Sequence, residues 1–166
     1  CCLLHDRNIL DFEYLDDQFD SQSKDQIIKL CIEKIKKDDF DLIILDFRLH
    51  PDDFDPISNR ESSGLALLKA IKNYNPGIQV IIFTASNKVW NYTQLNKEWA
   101  DGFIIKESPE NALNSNSAFN AVNELIDCME KCFDKLFLKD FYFNLDCLKR
   151  NLIPRADRKN YKRIDY

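Results

Sequence analysis

Short, wholly apolar runs alternate along this chain with longer segments whose apolar residues recur at three- and four-residue steps. The short runs are Phe40–Phe47 (broken only by Asp41 and Asp46), Gln79–Phe83 and Gly102–Ile105. Continuous apolar runs of this length predict strands buried on both faces of a parallel sheet. Ile9–Leu15 reads as a further strand. The stepped segments predict helices. Ser23 can cap one from Ser23 to Ile35, with Ile27, Ile28, Cys31, Ile32 and Ile35 on one face and Lys36-Lys37-Asp38-Asp39 as its polar stop. A second runs from Gly64 to Tyr74 on Leu65, Leu68 and Ile71, and ends at Asn75-Pro76-Gly77, where proline cannot continue and glycine lets the chain turn. A third is expected over Val89–Trp99. Strands alternating with helices of this length predict βαβ units with right-handed crossovers.

The tail differs. Phe119, Val122, Leu125, Ile126, Met129, Phe133, Leu136 and Phe137 keep helical spacing, and Phe141, Leu145 and Leu148 extend it to about Leu152. A single helix from Ser117 to Leu152 outruns the usual length of about 10–14 residues. Its outer stripe, Phe133, Leu136, Phe137, Phe141, Leu145 and Leu148, is expected to pack against a second copy of the chain or a following domain. The alternative is a break near Lys139-Asp140, with the second half folding back. Pro154–Tyr166 is basic and polar and reads as a linker or arm.

Composition narrows the class. The 166 residues suit one domain, or one domain with an appendage. Twelve Phe, two Trp and six Tyr within a 45% hydrophobic chain supply a core. No run approaches the roughly 18 apolar residues of a membrane span, and the start does not resemble a signal peptide. With 28 acidic against 23 basic side chains, a large nucleic-acid footprint has no support. The chain begins at Cys1, as a fragment or processed product would. The six cysteines are scattered and read as buried, reduced thiols in a cytoplasmic protein. Cys128 and Cys132 stand four apart on a helical pattern, but a metal would want two more ligands.

Candidate chemistry lies at the strand ends, because ligands of a doubly wound sheet bind outside the carboxyl edge. Leu45 is followed by Asp46, Phe83 by Thr84, and Ile105 by Lys106. A carboxylate, a hydroxyl and an ammonium thus reach one edge from consecutive strands. Each alone is unremarkable; together they suit phosphoryl transfer to Asp46. A carboxylate can form an acyl phosphate, while Lys106, Thr84 and a divalent ion neutralise the phosphoryl oxygens. Magnesium fits, since it needs only one or two carboxylates.

Leu42-Ile43-Ile44-Leu45-Asp46, Phe83-Thr84-Ala85 and Asp101-Gly102-Phe103-Ile104-Ile105-Lys106 resemble the receiver domains of two-component response regulators over roughly residues 9–130. The resemblance implies a flavodoxin-like parallel sheet in order 2-1-3-4-5. It implies that Asp46 accepts phosphate from a histidine kinase or phosphotransfer protein. It makes Thr84 the switch hydroxyl, Phe103 the switch aromatic and Lys106 the phosphate-pairing amine. Magnesium would be held by Asp46 and the backbone carbonyl of Arg48. Residues 1–130 would form the receiver and 131–166 a helical extension with a basic linker.

The chain departs from the family in three places. Receivers carry an acidic pair after their first, central strand. Here only one helix fits between residue 9 and Asp46, so Ile9–Leu15 reads as the second strand, with the first strand and most of the first helix upstream of Cys1. In a second reading Cys1–His5 is the first strand and Asp6 its acid; Asp16-Asp17 stands too close to Asp46 to serve. Glu107 stands where receivers usually have a proline in a cis bond, which for a non-proline residue costs about 2.5–4 kcal/mol. The loop from His50 to Ser63 is long and acidic, with Asp52, Asp53, Asp55 and Glu61. It reads either as a solvated loop or as a screen over Asp46 or a partner surface.

Two other functions remain open. One is a receiver-like interaction module without regulated phosphorylation, part of a larger bacterial protein. The other is an aspartyl-phosphate phosphohydrolase, but Arg48 occupies the position of its general acid and cannot donate a proton at neutral pH.

Overall fold

The computed structural model describes residues 11–15, 19, 22–54, 62–85, 100–106 and 115–152. Helix α1 (Lys24–Asp38) starts with a capping box: the Ser23 hydroxyl accepts from the Gln26 amide, and the Gln26 side chain accepts from the Ser23 amide. It stops at Asp39, which takes the left-handed conformation (φ 50°) that aspartate tolerates better than most residues. Strand β1 (Leu42–Leu45) follows, then a 3-10 turn at Pro51–Phe54 and helix α2 (Ser63–Tyr74), capped by Ser62. Strands β2 (Gln79–Thr84) and β3 (Gly102–Ile105) complete a three-stranded sheet among the described residues. Its order is β1-β2-β3 and every pairing is parallel, with Leu45 opposite Ile82 and Thr84 opposite Ile105. This matches the last three positions of the expected order.

Period-two alternation divides the core. Leu45, Val80 and Ile82 face α1 and α2, where Ile27, Cys31, Ile35, Leu65, Leu68 and Ile71 are buried. Ile81 and Ile104 face helix α3 (Ser115–Phe133), which contributes Leu125, Met129 and Cys132. Burial pushes the thiols of Cys31 and Cys132 up to about 11, so both stay protonated at neutral pH.

Two expectations are corrected. Residues 11–15, the described part of the strand expected at Ile9–Leu15, form no strand. Glu13, Tyr14 and Leu15 line a cleft of about 1330 Å³ together with Leu42–Leu45 of β1, and the described sheet has no strand paired with them. Glu13 instead pairs with Lys34 of α1 at 2.6 Å.

The C-terminal helix is not continuous. It breaks at residues 134–136, ahead of the expected alternative break at Lys139-Asp140, and resumes as α4 (Phe137–Leu152). Phe133 lies against the α3-side core rather than beyond it. Tertiary contacts hold the start of α4. Lys139 Nζ reaches Asp39 Oδ1 at 3.0 Å and the Phe40 carbonyl at 3.2 Å, and Asn75 Nδ2 donates to the Lys139 carbonyl at 3.0 Å. Gly77 is needed for close approach: a Cβ there would overlap the carbonyl of Leu138.

Asp6, Asp16-Asp17, Asp55, Glu61, Glu107, the helix expected at Val89–Trp99 and the basic stretch after residue 153 lie outside the described residues.

Candidate functional site

The carboxyl ends of the three strands deliver Asp46, Thr84 and Lys106 to one edge, because their register is parallel and nearly level. Asp46 and Lys106, sixty residues apart, meet directly: Lys106 Nζ lies 2.7 Å from Asp46 Oδ2. The other carboxylate oxygen accepts the Arg48 amide at 3.2 Å. Both side chains of the pair are about a third exposed (35% each), so a reactant can reach them from solvent.

Lys106 is held from two further directions. Its amide donates to the Thr84 carbonyl at 2.8 Å, which continues the ladder one residue past the paired register. Its ammonium stands 4.9 Å from the centre of the Phe83 ring, a favourable cation–π distance. Phe83 was legible in the sequence as a strand residue only, because its contact with Lys106 depends on strand pairing.

Thr84 sits between Asp46 and Lys106 in the sheet but is wholly buried. Phe103 is partly buried against the α1–α2 core. Gly64 presses the start of α2 onto the end of β1: its amide donates to the Phe47 carbonyl at 3.2 Å, and a Cβ there would overlap the carbonyls of Asp46 and Phe47. The aspartate therefore rests on a backbone braced by a neighbouring helix.

Two carboxylates of the acidic loop, Asp52 and Asp53, lie among the described residues. Asp52 is exposed, but the Asp53 carboxylate is fully buried and turned inward. It accepts from Lys24 Nζ at 2.5 Å, from the His50 amide at 3.1 Å, and from the amide and hydroxyl of Ser63. Asp53 thus ties α1, the loop and the first turn of α2 together, with its negative charge at the positive end of α2. No local spacing announces this role: His50 is three residues away, but Lys24 lies 29 residues before it and Ser63 10 after.

Burial pushes the Asp53 carboxyl up, and the hydrogen bonds from Lys24, Ser63 and His50 more than offset it, leaving it below the usual carboxylate range. A carboxyl depressed in the folded state contributes stability that is fully present above its unfolded value, near 4, and is lost as pH falls through the folded value. Asp53→Ala should therefore cost about 2–3 kcal/mol at neutral pH, read by chemical denaturation. The gap from wild type should narrow below about pH 4. A gap that is the same at pH 7 and pH 3 would show that the charge of Asp53 contributes nothing.

Among the described residues, no group of three or more His, Cys, Asp or Glu side chains is placed to hold a metal ion. The described site holds one carboxylate, Asp46, whose two oxygens are taken by Lys106 and the Arg48 amide; magnesium, which takes one or two carboxylates and keeps several waters, would share that carboxylate with Lys106.

A family model described as the response regulator receiver domain matches residues 23–118, more than half of the chain. The chain belongs to the response regulator receiver family. It is 33% identical over 76 residues to the transcriptional regulatory protein ZraR of Klebsiella oxytoca, covering 46% of this chain and 15% of that protein. A crystal structure of NtrX from Brucella abortus, in complex with ADP, is 20% identical, with a TM-score of 0.43 over 77% of this chain and 23% of that one. The chain thus spans a small part of the length of either relative. Receiver domains serve two-component signalling, generally without enzymatic turnover of their own. They bind magnesium at the phosphorylation site and interact with histidine kinases or phosphotransfer proteins. No helix among the described residues is long and apolar enough to cross a membrane.

Proposed function

We propose that this receiver accepts a phosphoryl group on Asp46 from a histidine kinase or phosphotransfer protein in the cytoplasm. The observation that carries the proposal is the 2.7 Å pairing of Asp46 with Lys106 across the carboxyl edge of the sheet. An Asp46 carboxylate oxygen attacks the donor phosphorus. A P–O bond forms to the carboxylate, the P–N bond to the donor imidazole breaks, and the histidine leaves with the electron pair. Lys106 transfers its hydrogen bond from Asp46 to a phosphoryl oxygen, so positive charge stays beside the developing negative charge. Asp46 and the backbone carbonyl of Arg48 would hold magnesium, which would supply further charge neutralisation.

Thr84 would donate its hydroxyl to a phosphoryl oxygen. Because Thr84 is buried, that contact needs a local movement at the end of β2, and Phe103 would report it as the switch aromatic. The helix break at 134–136 supports a receiver unit that runs to about residue 130, followed by a helical appendage.

A test that does not depend on a cognate kinase is binding of beryllium fluoride with magnesium, followed by NMR or tryptophan fluorescence. Lys106→Ala removes one hydrogen bond to a charged group, worth about 1.5–3 kcal/mol, so affinity should fall about 10- to 100-fold with the fold retained. Unchanged affinity would leave the interaction-module reading in its place.

A further inference from the structure

The residues that follow Asp46, from Phe47 to His50, are each tied by a backbone group. The Phe47 carbonyl accepts the Gly64 amide at 3.2 Å. The Arg48 amide donates to Asp46 Oδ1 at 3.2 Å. The Leu49 amide donates to the Ser63 hydroxyl at 3.1 Å, and the His50 amide to Asp53 Oδ2 at 3.1 Å. Ser63 and Gly64 open α2, so the segment after the candidate phosphoacceptor is fastened to the first turn of that helix.

The Leu49 contact has a geometric consequence for Arg48. The Arg48 carbonyl and the Leu49 amide belong to one peptide unit, and no cis bond occurs among the described residues. In a planar trans unit the carbonyl and the amide point in opposite directions. With the Leu49 N–H held on Ser63, the Arg48 carbonyl is turned away from that hydroxyl. Its direction is thus set by where the Ser63 oxygen stands.

The Ser63 hydroxyl is itself constrained. A hydroxyl has one hydrogen to give and two lone pairs to offer, whereas an ionised carboxylate only accepts. The Ser63 hydrogen therefore goes to Asp53 Oδ2, and a lone pair is left for the Leu49 amide. Donation to a charged acceptor also strengthens the bond that the same oxygen accepts. Both side chains are wholly buried, so water does not compete for these contacts. Asp53 is held in turn by Lys24 and by the Ser63 amide.

We propose that Ser63 and Asp53 are positioning residues for phosphoryl transfer: Asp53 orients the Ser63 hydroxyl, the hydroxyl holds the Leu49 amide, and the peptide so fixed presents the Arg48 carbonyl to magnesium. The proposal rests on the reading of Asp46 as phosphoacceptor with the Arg48 carbonyl as a magnesium ligand. It gives the acidic loop a role besides stability, since Asp53 acts on the site through the first residue of α2.

Magnesium titration of the isotope-labelled full chain, followed by NMR, tests this without a phosphodonor. In the wild type the Leu49 amide nitrogen should shift on binding, because coordination of the Arg48 carbonyl polarises the peptide bond they share. Ser63→Ala should bind magnesium about 3- to 10-fold more weakly, the equivalent of one hydrogen bond. Asp53→Ala, which leaves the hydroxyl free to rotate, should weaken binding in the same direction. Lys24→Met is the structural control. It removes another partner of the Asp53 carboxylate, so it should lower stability to urea and leave magnesium affinity at the wild-type value. Unchanged affinity in Ser63→Ala overturns the proposal, as does an equal loss in Lys24→Met. If Ser63→Ala fails to fold, the wild type decides: a Leu49 nitrogen that stays put while the Asp46 signals move overturns the proposal. A wild type that binds no magnesium also overturns it, and acetyl phosphate labelling of Asp46, read by mass spectrometry, shows separately whether the phosphoacceptor reading falls with it.

Discussion

Asp46→Asn is expected to abolish acyl-phosphate formation. When the wild-type chain is incubated with magnesium and a small phosphoryl donor such as acetyl phosphate or phosphoramidate, intact-mass spectrometry should record one added phosphoryl group. The variant should stay at background. The amide keeps the size of the side chain but is a far poorer nucleophile than the carboxylate that the step requires. Its loss also leaves Lys106 without its ionic partner, since Nζ and Oδ2 are 2.7 Å apart. The pair is about a third exposed, so this second effect on stability should be small, about 1 kcal/mol or less. Two outcomes would refute the assignment: labelling that persists in Asp46→Asn, or a wild type that neither labels nor binds beryllium fluoride.

Lys72→Met is expected to be the most destabilising single change considered, by about 3–5 kcal/mol, because it breaks a buried ion pair from one side. Lys72 is only 8% exposed. Its ammonium donates to the Ile78 carbonyl at 2.7 Å and meets Asp101 Oδ2 at 2.5 Å. The same carboxylate oxygen accepts the Val80 amide at 2.8 Å. One ammonium thus joins the end of α2 to the starts of β2 and β3, and removing it strands a carboxylate and a carbonyl. The double variant Lys72→Met/Asp101→Asn should lose less than the sum of the two single changes, since the second removes the charge that the first leaves unpaired. Urea denaturation of the four proteins gives both numbers. A loss below about 1 kcal/mol for Lys72→Met would mean that water replaces the ammonium and that the tie is not structural.

The amino-acid sequence by itself determined the three parallel strands, the helices α1 and α2, and the delivery of Asp46, Thr84 and Lys106 to a common edge. These features were legible because burial writes itself into local periodicity: a strand covered on both faces is apolar throughout, and a helix covered on one face repeats every three or four residues. Caps such as Ser23 and breakers such as Pro76 and Gly77 act within a few residues, so they too could be read in place. Tertiary structure alone decided the rest. Residues 11–15 carry strand-like composition, yet a strand exists only where a neighbouring edge pairs with it, and the described sheet ends at β1 on that side. Helical spacing runs unbroken through residues 134–136, and the helix breaks there while Lys139, Asn75 and Gly77 anchor the segment that follows. Asp53 and Lys72 look like surface charges in the sequence. They are buried because each meets a partner 29 residues away. Charge pairing over such separations leaves no periodic trace, since what makes an ionic group tolerable in the interior is the opposite charge beside it in space.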